Sequence, residues 1–358
     1  MRISLIGLGT VGQGVVELLR RHHALHRQRT GRDCRIVSIL VRDPSRSRDH
    51  IPENALITSD PDRFFAIESD LLIEVAGGVH PAREHIERAL ETGRDVVTAN
   101  KALLAAHAPD LFRLAERHRR RLLFEAAVAG GVPIIKLVSD SLASSRIDLF
   151  AGILNGTCNF ILTQMSRAQP YADALRQAQQ QGFAEADPTL DVSGTDSLQK
   201  LCLLASLAFS RPIVHETEMP IESSGITNFT ADHLAHAERA GGTIKLIAYA
   251  RRRGDDAIEL YNGPMFVPHD SPLARIHHSD MGIWLRTDAL KSMFLMGDGA
   301  GRFPTASAVV ADVLEAARFL DARAARPLNT YPSSFESPRI VPASLPRSAG
   351  FPRLPTES

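Results

Sequence analysis

Five lysines stand against 36 arginines in this 358-residue chain: Lys101, Lys136, Lys200, Lys245 and Lys291. An arginine does not release a proton near neutral pH, whereas a desolvated lysine can. Lysines kept in such a background are therefore the first residues to test for proton transfer. Lys200 has the most suggestive neighbours. Gly194-Thr195-Asp196-Ser197-Leu198-Gln199-Lys200 opens an apolar segment and sets Asp196 and Lys200 at i and i+4, on one face of a helix. Leu201, Leu203, Leu204 and Leu207 follow, so Lys200 is expected to be partly desolvated. Just upstream, the turn-rich loop Gly182 to Asp191 packs three acids, Glu185, Asp187 and Asp191. Carboxylates gathered beside one lysine can take an ammonium group and leave a proton donor next to it. The plainer alternative is a surface ion pair worth about 0.2–0.5 kcal/mol.

A second constellation lies at the start of the chain. Gly7-Leu8-Gly9-Thr10-Val11-Gly12 falls between the apolar strand Arg2 to Ile6 and a segment, Gly14 to Leu19, with helical spacing. That context makes it a dinucleotide fingerprint: a tight turn at Gly7, close approach of a pyrophosphate at Gly9, and close helix–strand packing at Gly12. The helix N-terminus then faces the phosphates. After the second strand the chain reads Val41-Arg42-Asp43-Pro44-Ser45-Arg46. An acid there would bind a ribose 2′-OH, and an arginine a 2′-phosphate. Arg42 comes first and Arg46 is near, so the reading favours NADP; in the alternative, Asp43 takes the ribose of NAD. Lys101 follows the strand Asp95 to Thr98, and ligands of open α/β sheets bind at the carboxyl ends of strands.

These residues need a frame. Strands at 2–6, 34–41, 71–75, 95–98 and 122–125 alternate with helices, which predicts an α/β fold with a Rossmann-type doubly wound parallel sheet over residues 1–133. Past Gly130-Gly131-Val132-Pro133 the pattern changes. Helices are expected over 134–142, 159–167, 172–181 and 197–209, with strands over 148–154, 243–250 and 257–261, an α+β second domain covering 134–298. A last helix near 309–320 lies in a segment, 299–326, that returns to the nucleotide domain. Seven prolines in the 32 residues 327–358 predict an extended or disordered tail.

Composition narrows the class. Lys+Arg and Asp+Glu are both 41, which excludes a strongly basic nucleic-acid binder. No run approaches the roughly 20 apolar residues of a membrane helix. The opening segment lacks the cleavage site of a signal peptide. Three cysteines cannot build a disulfide framework, so a reducing cytoplasm is expected. Cys34, Cys158 and Cys202 are read as packed residues. The groups His22-His23-x-x-His26 and His277-His278 are read as lying on solvated faces, and the run Arg117 to Arg121 as a polar helix end.

The motifs together resemble homoserine dehydrogenase over residues 3 to about 320. They comprise the glycine fingerprint, Thr98-Ala99-Asn100-Lys101-Ala102-Leu103-Leu104, and Phe124-Glu125-Ala126-Ala127-Val128-Ala129-Gly130-Gly131-Val132-Pro133. Gly152-Ile153-Leu154-Asn155-Gly156-Thr157, the acid loop, Gly194-x-Asp196-x-x-x-Lys200, and Gly299-Ala300-Gly301 before Pro304-Thr305 complete the set. The resemblance implies reversible NAD(P)H-dependent reduction of aspartate 4-semialdehyde to homoserine, on the route to threonine, methionine and isoleucine. It implies Lys200 as proton donor, Lys101 as a second lysine at cofactor and substrate, and Glu185, Asp196 and Asp191 as substrate-holding acids. Asn155, Gly156 and Thr157 join the substrate site, and Gly7, Gly9, Thr10, Val11, Gly12, Arg42, Thr98, Lys101 and Gly301 the cofactor site. Glu125, Val128, Gly130 and Val132 match a place where the family holds sodium. A homodimer is expected by the same resemblance. Past Thr305 the sequence leaves no room for the ligand-sensing module of longer members, so threonine feedback through it is not expected. Two other readings stand beside this one: a different amino- or oxo-acid dehydrogenase of the same layout, and a non-catalytic NADP-binding regulator.

Overall fold

The computed structural model describes residues 1–214, 221–254, 257–321, 331–332 and 336–355. The chain forms two compact units, Met1–Ile135 with Gly301–Ser334, and Lys136–Ala300 with Phe335–Ser358.

The first unit is built on six parallel strands: β1 (Arg2–Ile6), β2 (Arg35–Leu40), β3 (Leu56–Thr58), β4 (Leu71–Glu74), β5 (Asp95–Thr98) and β6 (Leu122–Leu123), in spatial order β3-β2-β1-β4-β5-β6. The order reverses between β1 and β4. Loops leaving the carboxyl ends of these two strands part in opposite directions there, which opens the ligand crevice of a doubly wound sheet. Strands buried on both faces read as continuous apolar runs, and Leu71, Leu72 and Ile73 are all 0 % exposed. Helix Arg302–Arg318 lays Ala306, Val309, Val310 and Val313 into the same core as Val15, Val16 and Leu19 of helix Thr10–Arg21.

Several expectations are corrected. Helix His23–Thr30 carries too little apolar periodicity to be read, yet it buries His26, whose imidazole is pushed to lower pKa chiefly by burial. Of the three clustered histidines, His22 and His23 are exposed as expected and His26 is not. Arg121 is likewise buried, its guanidinium 4.9 Å from the Phe319 ring centre, so that end of the arginine run is a cation–π contact. The strand expected over 122–125 stops at Leu123, because Glu125 turns into a short 3₁₀ segment, Glu125–Ala127. The helix expected over 134–142 makes one turn, Ile134–Lys136, and widens to π winding over Leu137–Ser141.

The second unit holds a mixed sheet of β7 (Ile147–Ile153), β8 (Glu222–Ser223), β9 (Gly242–Arg253), β10 (Ala257–Pro268), β11 (Asp280–Thr287), β12 (Met293–Asp298) and β13 (Arg339–Pro342). Its order is β12-β11-β7-β9-β10-β13, with β8 also pairing β10. The neighbours β12-β11-β7-β9-β10 are antiparallel, whereas β8 and β13 run parallel to β10. Alternation sends Ile244 and Leu246 of β9 to a core shared with helix Gly156–Met165, and Ile247 and Tyr249 to the opposite face.

That opposite face decides between the two alternatives for the described part of the tail, which is extended and packed. Arg339–Pro342 pairs with Ala257–Leu260 as an edge strand, and Leu354, with Ala343 and Leu345, packs onto the sheet. Proline is compatible with an edge strand because no ladder donor is missed on the open side. Pro342 and Pro352 themselves lie within short strands, Arg339–Pro342 and Phe351–Pro352. Tail residues 327–330, 333–335 and 356–358 lie outside the described residues.

Candidate active site

In the first unit the fingerprint has the geometry its glycines predict. Gly7 sits at φ +94°, and a methyl on Gly12 would collide with the Gly7 carbonyl oxygen. Gly9 caps helix Thr10–Arg21 without a side-chain hydrogen bond, and a Cβ built on it meets nothing within 4 Å. A helix of 12 residues thus starts with first-turn N–H groups uncovered by any capping side chain and with open space above Gly9. These residues fit a pyrophosphate.

Beyond β2, Arg42 and Asp43 are both exposed. The Asp43 carboxylate is taken by its own turn, with Oδ1 accepting from the Ser45 amide at 2.9 Å and the Ser45 hydroxyl at 2.6 Å, contacts that lower its pKa. Gly301 sits at φ +115° and starts helix Arg302–Arg318.

The β4 and β5 ends carry a network that the spacing argument left unused. Glu74, 0 % exposed, accepts from the Ala76 and Gly77 amides at 2.9 and 3.0 Å, and from the Thr98 hydroxyl at 2.7 Å. Asn100 donates its side-chain amide to Gly78 O at 2.6 Å and caps helix Lys101–Arg117 through the Leu103 amide at 3.1 Å. Glu74 and Asn100 thereby fix the loop beyond β4 and the turn that presents Lys101, which is half-buried. The readable signal was a lone acid closing the apolar strand Leu71-Leu72-Ile73.

Glu125 is also buried. Its carboxylate accepts from the Ile135 amide at 2.9 Å, and its own amide donates to Asp312 at 2.8 Å. Val128, Gly130 and Val132 lie in the buried turn that follows, where Val132 O already accepts from the Ile134 amide at 2.8 Å. Among the described residues no group of three or more His, Cys, Asp or Glu side chains could hold a metal ion.

In the second unit the structure assembles what the sequence paired. Lys200, 8 % exposed, donates from Nζ to Asp196 Oδ2 and to Leu154 O, each at 2.8 Å. Asn155 joins them: its side-chain amide donates to Asp196 Oδ2 at 2.8 Å and to Asp191 Oδ1 at 2.7 Å. Its Oδ1 accepts from the Cys158 amide at 2.7 Å and so caps helix Gly156–Met165, three residues earlier than the helix predicted from periodicity. Asn in front of a helix is a known capping preference, and that signal was legible. Gly156 is required here, because a Cβ on it would stand 2.5 Å from Ser279 O.

The acid loop divides. Asp191 enters the network from the short helix Thr189–Val192. Asp187 instead caps its own turn, accepting from the Thr189 amide at 3.1 Å and hydroxyl at 2.5 Å, which lowers its pKa. Glu185 is exposed, and its backbone is held by Gln179 at 3.3 Å while Thr157 ties the loop down through Phe183 O at 2.6 Å. The Cys158 thiol is buried and raised well above its ordinary pKa, first by desolvation and then by Asp191 and Asp196, so it stays protonated.

One buried lysine was missed. Lys245 on β9 donates to Asn159 Oδ1 at 3.0 Å and to Ile276 O at 2.5 Å. Asn159 in turn donates to His278 O at 3.0 Å and Asp280 O at 3.2 Å, pinning the segment that passes Gly156. A lysine inside an alternating strand carries no periodic signal of its own.

A buried lysine braced by a carboxylate, in a chain that also carries a dinucleotide turn, fits a carbonyl reductase. The homoserine dehydrogenase family model matches residues 133–314, and the homoserine dehydrogenase NAD-binding domain matches residues 7–125. The chain belongs to the homoserine dehydrogenase family. Homoserine dehydrogenase from Bacillus subtilis (strain 168) is 38% identical over 316 residues, covering 88% of this chain and 72% of that one. A solved homoserine dehydrogenase from Thiobacillus denitrificans superposes with a TM-score of 0.89 at 36% identity, over 96% of this chain and 79% of that one. A hyperthermophilic archaeal homoserine dehydrogenase, solved in complex with NADPH, matches with a TM-score of 0.73 at 25% identity over 88% of this chain and 97% of that one. As a homoserine dehydrogenase the protein is an NAD(P)-dependent oxidoreductase, and it interconverts L-aspartate 4-semialdehyde and L-homoserine. No described helix is long and apolar enough to cross a membrane.

Proposed function

We propose that Lys200 is the proton donor of this homoserine dehydrogenase and that Asp196, Asn155 and Asp191 hold it and the substrate in place. The observation that carries this reading is a buried hydrogen-bonded group in which Asn155 and Lys200 both donate to Asp196 Oδ2. Reducing an aldehyde builds negative charge on its oxygen. An ammonium placed at that oxygen stabilises the charge and delivers the proton without moving far. Leu154 O and Asp196 orient the Lys200 ammonium from two sides, and Asp196 supplies its countercharge. Asp191, with Glu185 brought in from the exposed loop, receives the α-ammonium of the substrate. In the reverse direction Lys200 takes the hydroxyl proton of homoserine. Bound NAD(P)H supplies the hydride.

Gly7, Gly9, Thr10, Val11 and Gly12 hold the pyrophosphate in this proposal, and Thr98, Lys101 and Gly301 complete the cofactor site. NADP is the preferred cofactor: Asp43 is engaged by Ser45 while the exposed Arg42 can meet a 2′-phosphate, and an archaeal relative was solved with NADPH. Glu125, Val128, Gly130 and Val132 offer only oxygen donors, a set suited to a hard cation such as sodium. The same reading places the enzyme as a homodimer in the cytoplasm, on the route to threonine, methionine and isoleucine; its three cysteines are all free and buried.

Steady-state assays with semialdehyde and both cofactors test the proposal. Lys200→Ala should lower kcat by at least the roughly 10²-fold typical of a lost general acid, with cofactor affinity retained. Arg42→Ala should weaken NADPH more than NADH. Wild-type turnover in the first variant, or equal losses in the second, would reject the assigned roles. Sodium dependence of the rate and sedimentation of the purified chain check the ion and the dimer.

A further inference from the structure

The face of the second sheet opposite its helices carries a cationic cavity that the reduction does not use. We propose that this cavity, lined by Arg251, Arg286 and Arg353, binds a small polyanion bearing phosphate or carboxylate groups.

Strand register builds the site. Arg286 on β11 stands directly opposite Leu149 on β7, and Leu149 directly opposite Arg251 on β9. Alternation puts all three on the face that also carries Trp284 and Tyr249. Two strand spacings separate the two arginine backbones by about 10 Å, a distance that two anionic groups of one ligand can span. Arg353 arrives from the tail, where a bridge to Phe266 fixes it beside β10. With Leu149, Trp284 and Leu354, the arginines line a cavity of about 380 Å³. That volume lies within the range of small-molecule sites, about 300–1,000 Å³.

All three arginines are half-buried, and among the described residues no ion pair joins any of them to a carboxylate. Glu259, the cross-strand neighbour of Arg251, is already taken by Arg253 at 2.8 Å and by the Ser344 amide at 3.2 Å. Asp270 lines a neighbouring cavity beside Trp284 and Leu354. Guanidinium groups match carboxylate and phosphate through paired N–H donors, and an apolar wall strengthens such bonds by excluding water. Trp284 supplies that wall, its indole N–H being committed to Ser292 at 2.7 Å. Because Arg353 and Leu354 belong to the tail, a bound anion also holds the tail against the sheet.

Titration calorimetry on the full chain tests this at low ionic strength, with pyrophosphate and citrate as separate probes. The nucleotide site is first saturated with NADP⁺, so that neither probe reports on it. At least one probe should bind saturably, one per chain. Affinity should fall at least tenfold in Arg251→Gln/Arg286→Gln and in Arg353→Gln, with the wild-type melting temperature retained in the absence of anion. Binding of pyrophosphate alone assigns the phosphate class, and of citrate alone the carboxylate class. Should the double variant melt early, Arg353→Gln, which alters only the tail, decides. Absence of saturable binding to the wild type, or wild-type affinity in Arg353→Gln, overturns the site. So does a change in sedimentation mass in the variants with anion affinity unchanged, which would assign the arginines to contact between copies.

Discussion

At the scale of single residues, the two buried lysines of the second unit differ in what surrounds them. Lys200 has a carboxylate at 2.8 Å, whereas among the described residues Lys245 donates to an amide oxygen and a carbonyl. Burial without a countercharge pushes Lys245 down from 10.5 to about 8. The unfolded chain therefore binds this proton more tightly than the folded one. Below about pH 8 the folded protein carries the full cost of a buried ammonium, and that cost is relieved as pH rises from about 8 toward 10.5. At about 1.4 kcal/mol per pKa unit the difference is worth on the order of 3 kcal/mol. Wild type should gain roughly that much stability relative to Lys245→Met across this interval, as read from urea midpoints at several pH values. Parallel pH profiles for the two proteins would show that Lys245 is not desolvated.

At the scale of elements, helix Gly156–Met165 is held by the same residue that braces the acids. Asn155 uses its oxygen for the cap and its amide for Asp191 and Asp196. Asn155→Asp keeps a good capping oxygen, removes both donors and adds a third carboxylate to the cluster. The helix should survive, with an unchanged circular dichroism spectrum, while kcat/KM falls at least tenfold. Unaltered kinetics would reduce Asn155 to a helix cap. In the first unit, Asn100 also caps a helix while fixing a loop, through Leu103 N and Gly78 O. A helix begun by such a residue places its first turn relative to the neighbouring strand end.

At the scale of the whole molecule, the tail is part of the second sheet. Leu354 is 2 % exposed against the face that holds Tyr249 and Trp284. Leu354→Ala should cost about 2–5 kcal/mol, the usual range for a buried leucine. A lowered denaturant midpoint with unchanged slope would confirm that the tail folds with the second unit. A midpoint within about 0.5 kcal/mol of wild type would mean the tail rides on the surface.

The local signals in the sequence were those with short reach. The glycine fingerprint needed only the strand before it and the helix after it. Asp196 and Lys200 needed only the 3.6-residue period, which sets i and i+4 on one face whatever else the chain does. Tertiary structure decided everything that depended on distant partners. Asn155 met Asp191 and Asp196 across 36 and 41 residues, and Glu74 met Thr98 across 24. Asp187 and Asp191 look alike in the acid loop, but only packing turned one onto its own backbone and the other into the site. The proline-rich tail shows the same limit: composition left extended and disordered chain as alternatives, and Arg339–Pro342 is an extended strand paired to the edge of β10. Sequence spacing fixes which side chains share a local face, whereas burial and pairing across the chain depend on surfaces that exist only once the fold has closed.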